Sequence, residues 1–334
     1  MVLSRAPLFT ALAVWTLCGP LQLSAQLRMP QHWQWEAGVS AHVSGYSGDI
    51  GNKGSLGALT DTQWGCVQSG LGVHFRGQQR GKRVGWNLDL RRIHIEGADS
   101  LSNNLVAIGR NLHFRNRMTE LAATADVAVL RFSRSAGMVS LSHQLKFQGG
   151  LALLHHTPEA QLDRDNLLFD DVNTSGFNTP GEWHDLRAIQ TEGVDYAKTV
   201  VTAPIGFAWT CSFDRGMGTP WHVTVSALWR LTRTDRLDDI HSRYVDNLSV
   251  SALAFGLSSQ ANPDDLPTEE GTPSLTNYQY MPGVEAERQA VRGNAATRDQ
   301  YWTFGVTVAK SLSKTPVQAF HRQRFRGPRV ENKR

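Results

Sequence analysis

Beyond its first 25 residues this chain is short of the features that announce most protein classes. It has three cysteines in 334 residues. Cys18 lies in the leader segment read below, which leaves Cys66 and Cys211 and excludes a disulfide-stapled scaffold. The strand pattern points those two to opposite faces, so no bond between them is expected, and neither has the surroundings of a catalytic thiol. The only long apolar run is at the N-terminus, which excludes a helical membrane protein. Charged residues make up only 19% of the chain. Wholesale disorder is excluded as well, because 40% of the residues are apolar and ten are Trp. There is no Walker loop, HExxH helix, GxSxG elbow or Rossmann glycine fingerprint.

The N-terminal run reads as a targeting segment. Arg5 supplies a positive start, residues 8–17 (LFTALAVWTL) an apolar core, and Leu23-Ser24-Ala25 a cleavage site after Ala25. Residues 1–25 are therefore read as a secretory signal, too short to span a bilayer. Bulky Trp15, Thr16 and Leu17 ahead of Cys18 argue against a lipoprotein. The expected organisation is a signal over 1–25, one domain over 26–314, and a basic, disordered tail over 315–334.

Past the leader the dominant pattern has a period of two, the signature of strands with one apolar face. Trp33, Trp35, Ala37, Val39, Ala41 and Val43 alternate with polar residues, as do Val201, Ile205, Phe207 and Trp209, and Trp302, Phe304, Val306 and Val308. Eight such stretches occur. The one from Phe114 to Phe132 is the least regular, since Asp126 and Leu130 share a parity. Connections one, three, five and seven are long (46–64, 96–111, 157–197, 236–299). Connections two, four and six are short (77–82, 135–140, 214–219). A sandwich has no reason to gather every long loop at one end. An outer-membrane barrel has long outer loops, short periplasmic turns and an even strand count, and its closure satisfies every backbone group as a bilayer demands. The predicted fold is all-β: an eight-stranded antiparallel transmembrane β-barrel in the cell outer membrane, with Trp33, Trp35, Trp221 and Trp302 as interfacial aromatics. Eight strands leave room for little but side chains inside, so a diffusion pore is excluded. Asp89, Arg91, Asp126, Lys146, Gln148 and Arg230 are expected in that lumen as a hydrogen-bonded polar interior.

The small net charge of +4 is a cancellation. Residues 158–197 and 235–299 together hold 20 of the 30 acidic residues and only seven arginines. The short-turn side instead carries Arg80, Lys82 and Arg83, and the tail carries Arg322, Arg324, Arg326, Arg329, Lys333 and Arg334. That tail reads as a solvated extension or a docking site for an acidic partner. Nucleic acid is not expected as a partner of a surface protein.

One loop has metal-like spacing. Asp171, Asn173, Ser175, Gly176 and Glu182 occupy positions 1, 3, 5, 6 and 12 of an EF-hand-type calcium loop. Asn178 and Pro180 depart from that pattern, so Ca2+ is a weak expectation and no other cofactor is expected. Enzyme constellations are thin. Ser142-His143 and His222-Val223-Thr224 are reminiscent of lipid-modifying barrel enzymes, but adjacent residues of opposite parity cannot face one substrate. No catalytic residue is assigned.

Several short segments at strand ends carry a family resemblance. Gly45-Tyr46-Ser47-Gly48-Asp49 closes the first strand. Arg110-Asn111-Leu112-His113-Phe114 opens the fourth. Thr191-Glu192-Gly193 and Ala203-Pro204-Ile205-Gly206 flank the start of the sixth. Asp235-Arg236-Leu237-Asp238-Asp239-Ile240 follows the seventh, and Arg292-Gly293-Asn294 with Asp299 and Tyr301 opens the last. In this order they resemble the PorG-like outer-membrane β-barrels of the type IX secretion system, over nearly the whole mature chain. The resemblance implies a non-enzymatic secretion component associated with the periplasmic ring of the PorK lipoprotein and PorN. Arg236 stands where the family has Tyr, and Leu312 with a basic extension replaces its terminal aromatic residue. Asp49, Arg110, Glu192, Asp238, Asp239 and Arg292 are the candidates for interaction or for bracing loops through Arg–carboxylate hydrogen bonds. A lipid-modifying barrel enzyme and a small structural or adhesive surface barrel are the alternatives.

Overall fold

Period-two alternation produces strands here wherever it was found. The computed structural model describes residues 33–50, 62–102, 105–136, 139–162, 182–214, 219–241, 243–244, 252–258, 260, 292–293 and 298–312. Its strands are β1 Trp33–Ser47, β2 Gln68–Gln79, β3 Val84–Ala98, β4 His113–Ala136, β5 Val139–His155, β6 Pro158–Gln161, β7 Trp183–Asp185, β8 Thr199–Asp214, β9 Trp221–Thr232 and β10 Gln300–Ser311. Every neighbouring pair is antiparallel. β3 pairs with both β2 and β4, and β1 pairs with both β2 and β10, so β1–β5 with β8–β10 close into an eight-stranded barrel. β6 and β7 lie outside the cylinder as a short extension of β4, an addition to the eight expected strands. Three short helices sit on the long connections: α1 Leu105–Arg110, α2 Leu186–Ile189 and α3 Ala252–Ser258.

The two ends of the barrel differ as the spacing implied. At one end β2 and β3 are joined by a tight turn in which the Lys82 amide donates to the Gln79 carbonyl at 3.1 Å. Gly81 sits in that turn at φ +76°, a conformation costly for any side chain. All four long connections emerge at the other end. Cys66 corrects one detail, because it lies in a single 3-10 turn ahead of β2, and not on a strand. Both cysteines are free.

Two irregularities explain where the alternation breaks. The β4–β5 register slips between Ala128 and Leu130, so Val129 is an extra residue opposite the Lys146–Leu145 step. That β-bulge moves the outward parity from Leu121, Ala123, Ala125 and Val127 to Leu130 and Phe132, which is why Asp126 and Leu130 share a parity yet face opposite ways. The second break is in the β5–β8 ladder, which lapses at Gly150 and Leu151, opposite Pro204. Proline has no N–H to donate to the ladder.

Val39, Leu71, Leu90, Leu121, Leu151, Val201, Phe207 and Phe304 all point outward and stay exposed, an apolar belt around the closed sheet. The inward parity is buried and polar in its lower part. On the turn side Arg76 donates to Glu36 at 3.0 Å and to Asp126 through two bonds of 2.9 Å. Higher up, Asp89 joins His74 at 2.8 Å and Arg91 at 3.3 Å. Higher still, Arg230 grips Glu120 through bonds of 3.1 and 3.0 Å, and the Tyr301 hydroxyl donates to the same carboxylate at 2.8 Å. Lys146 and Gln148 are buried in the same lumen. Its loop-side third is apolar instead: Ile93, Ile95, Phe114, Met118 and Leu154 point inward and are almost wholly buried. The apolar parity therefore changes face along β3 and β4. Above Leu90 and Leu121 the outward positions are Arg92, His94, Arg117 and Arg115.

Arg230 and Glu120 have no exposed side-chain surface, so removing one partner strands a buried charge. Arg230→Met should destabilise the barrel by about 3–5 kcal/mol, read as a lower urea midpoint for the refolded protein in micelles. The double variant Glu120→Gln/Arg230→Met should recover most of that loss. A single variant as stable as the parent would show that the pair is not a buried charge pair.

Candidate functional site

The six candidate residues are far apart in sequence, and the structure brings all of them into one buried cap over the loop-side mouth. Asp49, Arg110, Glu192, Asp238, Asp239 and Arg292 are each at most 9% exposed. Local chain geometry accounts for their residue types. Arg110 ends α1, and Asn111 follows at φ 52° with its amide bonded to the Ala107 carbonyl at 3.0 Å, a left-handed helix stop that Asn tolerates. Leu112 then turns into the apolar cluster beneath the cap. α2 starts at Asp185, whose carboxylate accepts from the Arg187 and Ala188 amides at 3.1 and 3.2 Å. It stops at Gln190, φ 59°, which delivers Thr191 and Glu192 to the cap. Asp239 is the third non-glycine residue at positive φ, 66°.

Two arginines organise the cap. Arg110 holds Asp99 in a two-pronged pair at 2.7 and 2.9 Å, and it also donates to the backbone carbonyls of Asp49 and Arg292. Arg292 donates to Glu192 at 2.9 Å, to the Asp239 carbonyl at 2.8 Å and to the Ser258 carbonyl at 3.2 Å. Glu192 also accepts from the His241 amide at 2.9 Å. Between them these bonds tie all four long connections together. Gly293 is required by close approach, since a Cβ there would run into Ile240 and Asp49. Asp239 accepts from Thr191 and, at 2.6 Å, from the Tyr196 hydroxyl. Arg236 lies 3.6 Å from Glu192 and 5.1 Å above the Tyr196 ring, a cation–π contact.

The cap joins the barrel through Tyr46. Its hydroxyl oxygen is 2.6 Å from Asp238 Oδ2 and 2.7 Å from Asp299 Oδ1, and the Asp49 amide donates to it at 3.1 Å. A phenol has one hydrogen to give. With two carboxyls at bonding distance, one of them carries a proton of its own. Burial and the neighbouring carboxylates act in that direction. Asp238 is pushed well above the usual carboxylate range by burial and by Asp299 and Asp49, and Asp299 is raised to about 8, chiefly by burial. Asp235 is raised to about 8 by burial and by Asp49, Asp238 and Glu192.

Sequence reasoning named six members of this cluster and left out others. Tyr46, Asp235 and Asp299 stood in the quoted motifs without a role, although the inward parity of Tyr46 was a usable signal. Thr191 likewise stood in a quoted motif without a role, while Tyr196, whose partner Asp239 lies in another connection, and Asp99, paired with Arg110 of its own connection, gave no signal. Of the metal candidates, Asp171, Asn173 and Ser175 fall outside the described residues. Glu182 is exposed beside β7. Among the described residues no group of three or more His, Cys, Asp or Glu side chains is placed to hold a metal.

The two Ser/His segments separate as parity required. His143 faces outward, stacked between Phe132 and Trp209 with ring centroids 4.9 and 5.5 Å away, while Ser142 lines the lumen. At the turn-side mouth a cavity of about 250 Å³ opens between Glu36, Ser142, Lys146, Ser212 and His222. There Ser212 meets His222 Nδ1 at 2.7 Å, but His222 Nε2 stands 3.7 Å from Glu36, whose same oxygen is taken by Arg76 at 3.0 Å. No Ser–His–carboxylate relay is assembled in that cavity.

No family model matches the chain, and no curated protein matches it. Among solved structures, the crystal structure of Ail, the attachment invasion locus protein of Yersinia pestis, in complex with the heparin analogue sucrose octasulfate, matches with a TM-score of 0.25 and 8% identity. The match covers 84% of this chain and 99% of that one.

The protons held in the cap set its pH dependence. Asp235 and the Asp238–Asp299 pair retain protons in the fold at pH values where an unfolded Asp is ionised, so folding takes up protons. The stabilisation is complete below the ordinary carboxylate range and is lost as pH rises towards and through about 8. Proteolysis of the long loops, corrected for protease activity on an unfolded substrate, should accelerate between pH 6 and pH 9. Asp235→Asn should flatten part of that rise. A cleavage rate independent of pH in the parent would overturn the shared-proton description.

Proposed function

We propose that this chain is an outer-membrane β-barrel that works as a closed, non-enzymatic scaffold and not as a channel. The observation that carries this reading is the division of faces around the closed sheet. Apolar side chains stay exposed on the outside, while paired charges fill the inside, the arrangement of a barrel that meets lipid outward. The cap supports the scaffold reading, because its arginines and carboxylates are buried against one another over the loop-side mouth.

Within that reading we propose the narrower role implied by the motif resemblance, a type IX secretion component that anchors or stabilises a periplasmic ring of the PorK/PorN kind. Five of the resembling segments meet in one buried cap, as expected of a motif set maintained for a single structural purpose. Because those residues are buried, the ring contact falls to the opposite end. There the short turns carry Arg80, Lys82 and Arg83, and the basic tail follows β10 in sequence.

Four measurements test this. The protein should stay with the membrane after carbonate extraction and run faster unheated than boiled on a denaturing gel. In planar bilayers it should show no steady conductance. Crosslinking in intact cells should recover the ring proteins, and Arg80→Glu/Lys82→Glu/Arg83→Glu should reduce that yield several-fold. A stable open conductance would refute the closed scaffold. Consistent failure to crosslink ring proteins would refute the secretion role alone.

A further inference from the structure

The exchange of apolar for basic residues on the outer face happens within one rung of the β3–β4 ladder. Leu90 pairs with Leu121, both outward and exposed. On the next outward rungs towards the loops, Arg92 pairs with Thr119 and His94 with Arg117. Arg92 and Arg117 are exposed. Arg92 donates to Thr119 at 2.8 Å, which braces its guanidinium against the wall and leaves its other N–H groups unused. Among the described residues Arg117 has no hydrogen-bond or ion-pair partner. The two carboxylates in this region offset it only in part, with Glu96 in electrostatic reach of both Arg115 and Arg117. Glu159 is held by Arg115 at 2.6 Å, and Glu96 accepts from Gln68 at 2.7 Å. A collar in which basic side chains outnumber acidic ones thus sits directly above the apolar belt, although the long loops are rich in acids.

We propose that Arg92 and Arg117 form a binding site for the phosphate of an anionic lipid in the loop-side leaflet, with its acyl chains lying against Leu88, Leu90 and Leu121. The proposal rests on the membrane reading above and adds a ligand to it. The occupant follows from position. An anion bound here has apolar surface immediately below and solvent above, which suits a molecule with a phosphate head and hydrocarbon tails. Guanidinium groups match phosphate oxygens in fork geometry. Attraction at the membrane surface adds to apolar contact, and neither alone holds a lipid firmly.

The probes are lipid A and its dephosphorylated form, each added to the refolded full-length chain in micelles, with bound lipid counted by native mass spectrometry. Lipid A should bind saturably and dephosphorylated lipid A poorly. Arg92→Gln/Arg117→Gln should weaken lipid A binding about thirtyfold, and the Arg→Lys pair should weaken it less. Arg134→Gln, at the turn end of β4, serves as the charge control and should change nothing. Inorganic phosphate at millimolar concentration should fail to displace the lipid. Equal binding of the two lipids, an unaffected double glutamine variant, or full displacement by inorganic phosphate would each overturn the site. Gel mobility with and without heating reports whether each variant is folded. Carbonate extraction of the parent tests the membrane reading separately, so the two failures are distinguishable.

Discussion

A closed cylinder of eight strands leaves little room inside for water beyond the cavity at its turn-side mouth, so most charges that point inward find their counter-charge within the wall or the cap. The structure meets this constraint with arginines at successive heights. Arg76 is held between Glu36 and Asp126, Arg91 by Asp89, and Arg230 by Glu120. Arg110 and Arg292 continue the series in the cap with Asp99 and Glu192. Arginine suits this arrangement because its fork satisfies two carboxylate oxygens at once and spares a donor for a backbone carbonyl. Several of these pairs link different strands: Glu36 is on β1, Arg76 on β2 and Asp126 on β4, and Arg230 on β9 holds Glu120 on β4, while Arg91 and Asp89 share β3. The interior ion pairs therefore fix how the sheet closes as well as filling it, and a lone substitution among them leaves a charge buried without its partner.

The cap obeys the same constraint with a surplus of acid. Asp49, Asp235, Asp238, Asp299 and Glu192 crowd one end, and the arginines at hand do not neutralise them all. Retained protons supply the remainder, most visibly at Tyr46, where one phenol meets two carboxyls. A network held together by shared hydrogens depends on pH in a way that the arginine pairs lower in the barrel do not. The loops are thereby fixed to the wall by a bond set that the surrounding medium can loosen while the barrel beneath stays closed.

Much of the fold was legible because a period of two and unequal connection lengths are local properties. The eight barrel strands, the gathering of long loops at one end and the six inward polar residues from Asp89 to Arg230 follow from them. The irregular fourth strand was visible only as a clash of parity between Asp126 and Leu130. The bulge at Val129 resolves it, and nothing in the sequence alone distinguishes a bulge from a misplaced boundary. The inward turn of Ile93, Ile95 and Met118 was not legible either. An apolar residue on a barrel strand reads as outward until something is known to lie over the mouth. In the cap, short motifs picked out Arg110, Glu192 and Arg292. Tyr196 went unmarked because its role is created by Asp239 in another connection, and only closure of the barrel brings those connections together.

The burial of the motif residues bears on what such motifs mean. A set of charged residues at strand ends invites reading as a recognition surface, yet here the charges face one another and are withdrawn from solvent. Their spacing records which loop must reach which, so resemblance at these positions argues first for a shared way of closing the barrel. Specificity for a partner has to be sought on surfaces the cap leaves free. Two are apparent, the basic short turns at one end and the Arg92–Arg117 collar at the edge of the apolar belt. They differ in kind. On the proposed membrane reading the turns face solvent and suit a protein, whereas the collar borders the apolar belt and suits a lipid. A barrel bound at both places would be held by lipid at its loop-side rim and free to bear load through its turns, an arrangement that a closed interior can support and an open pore cannot.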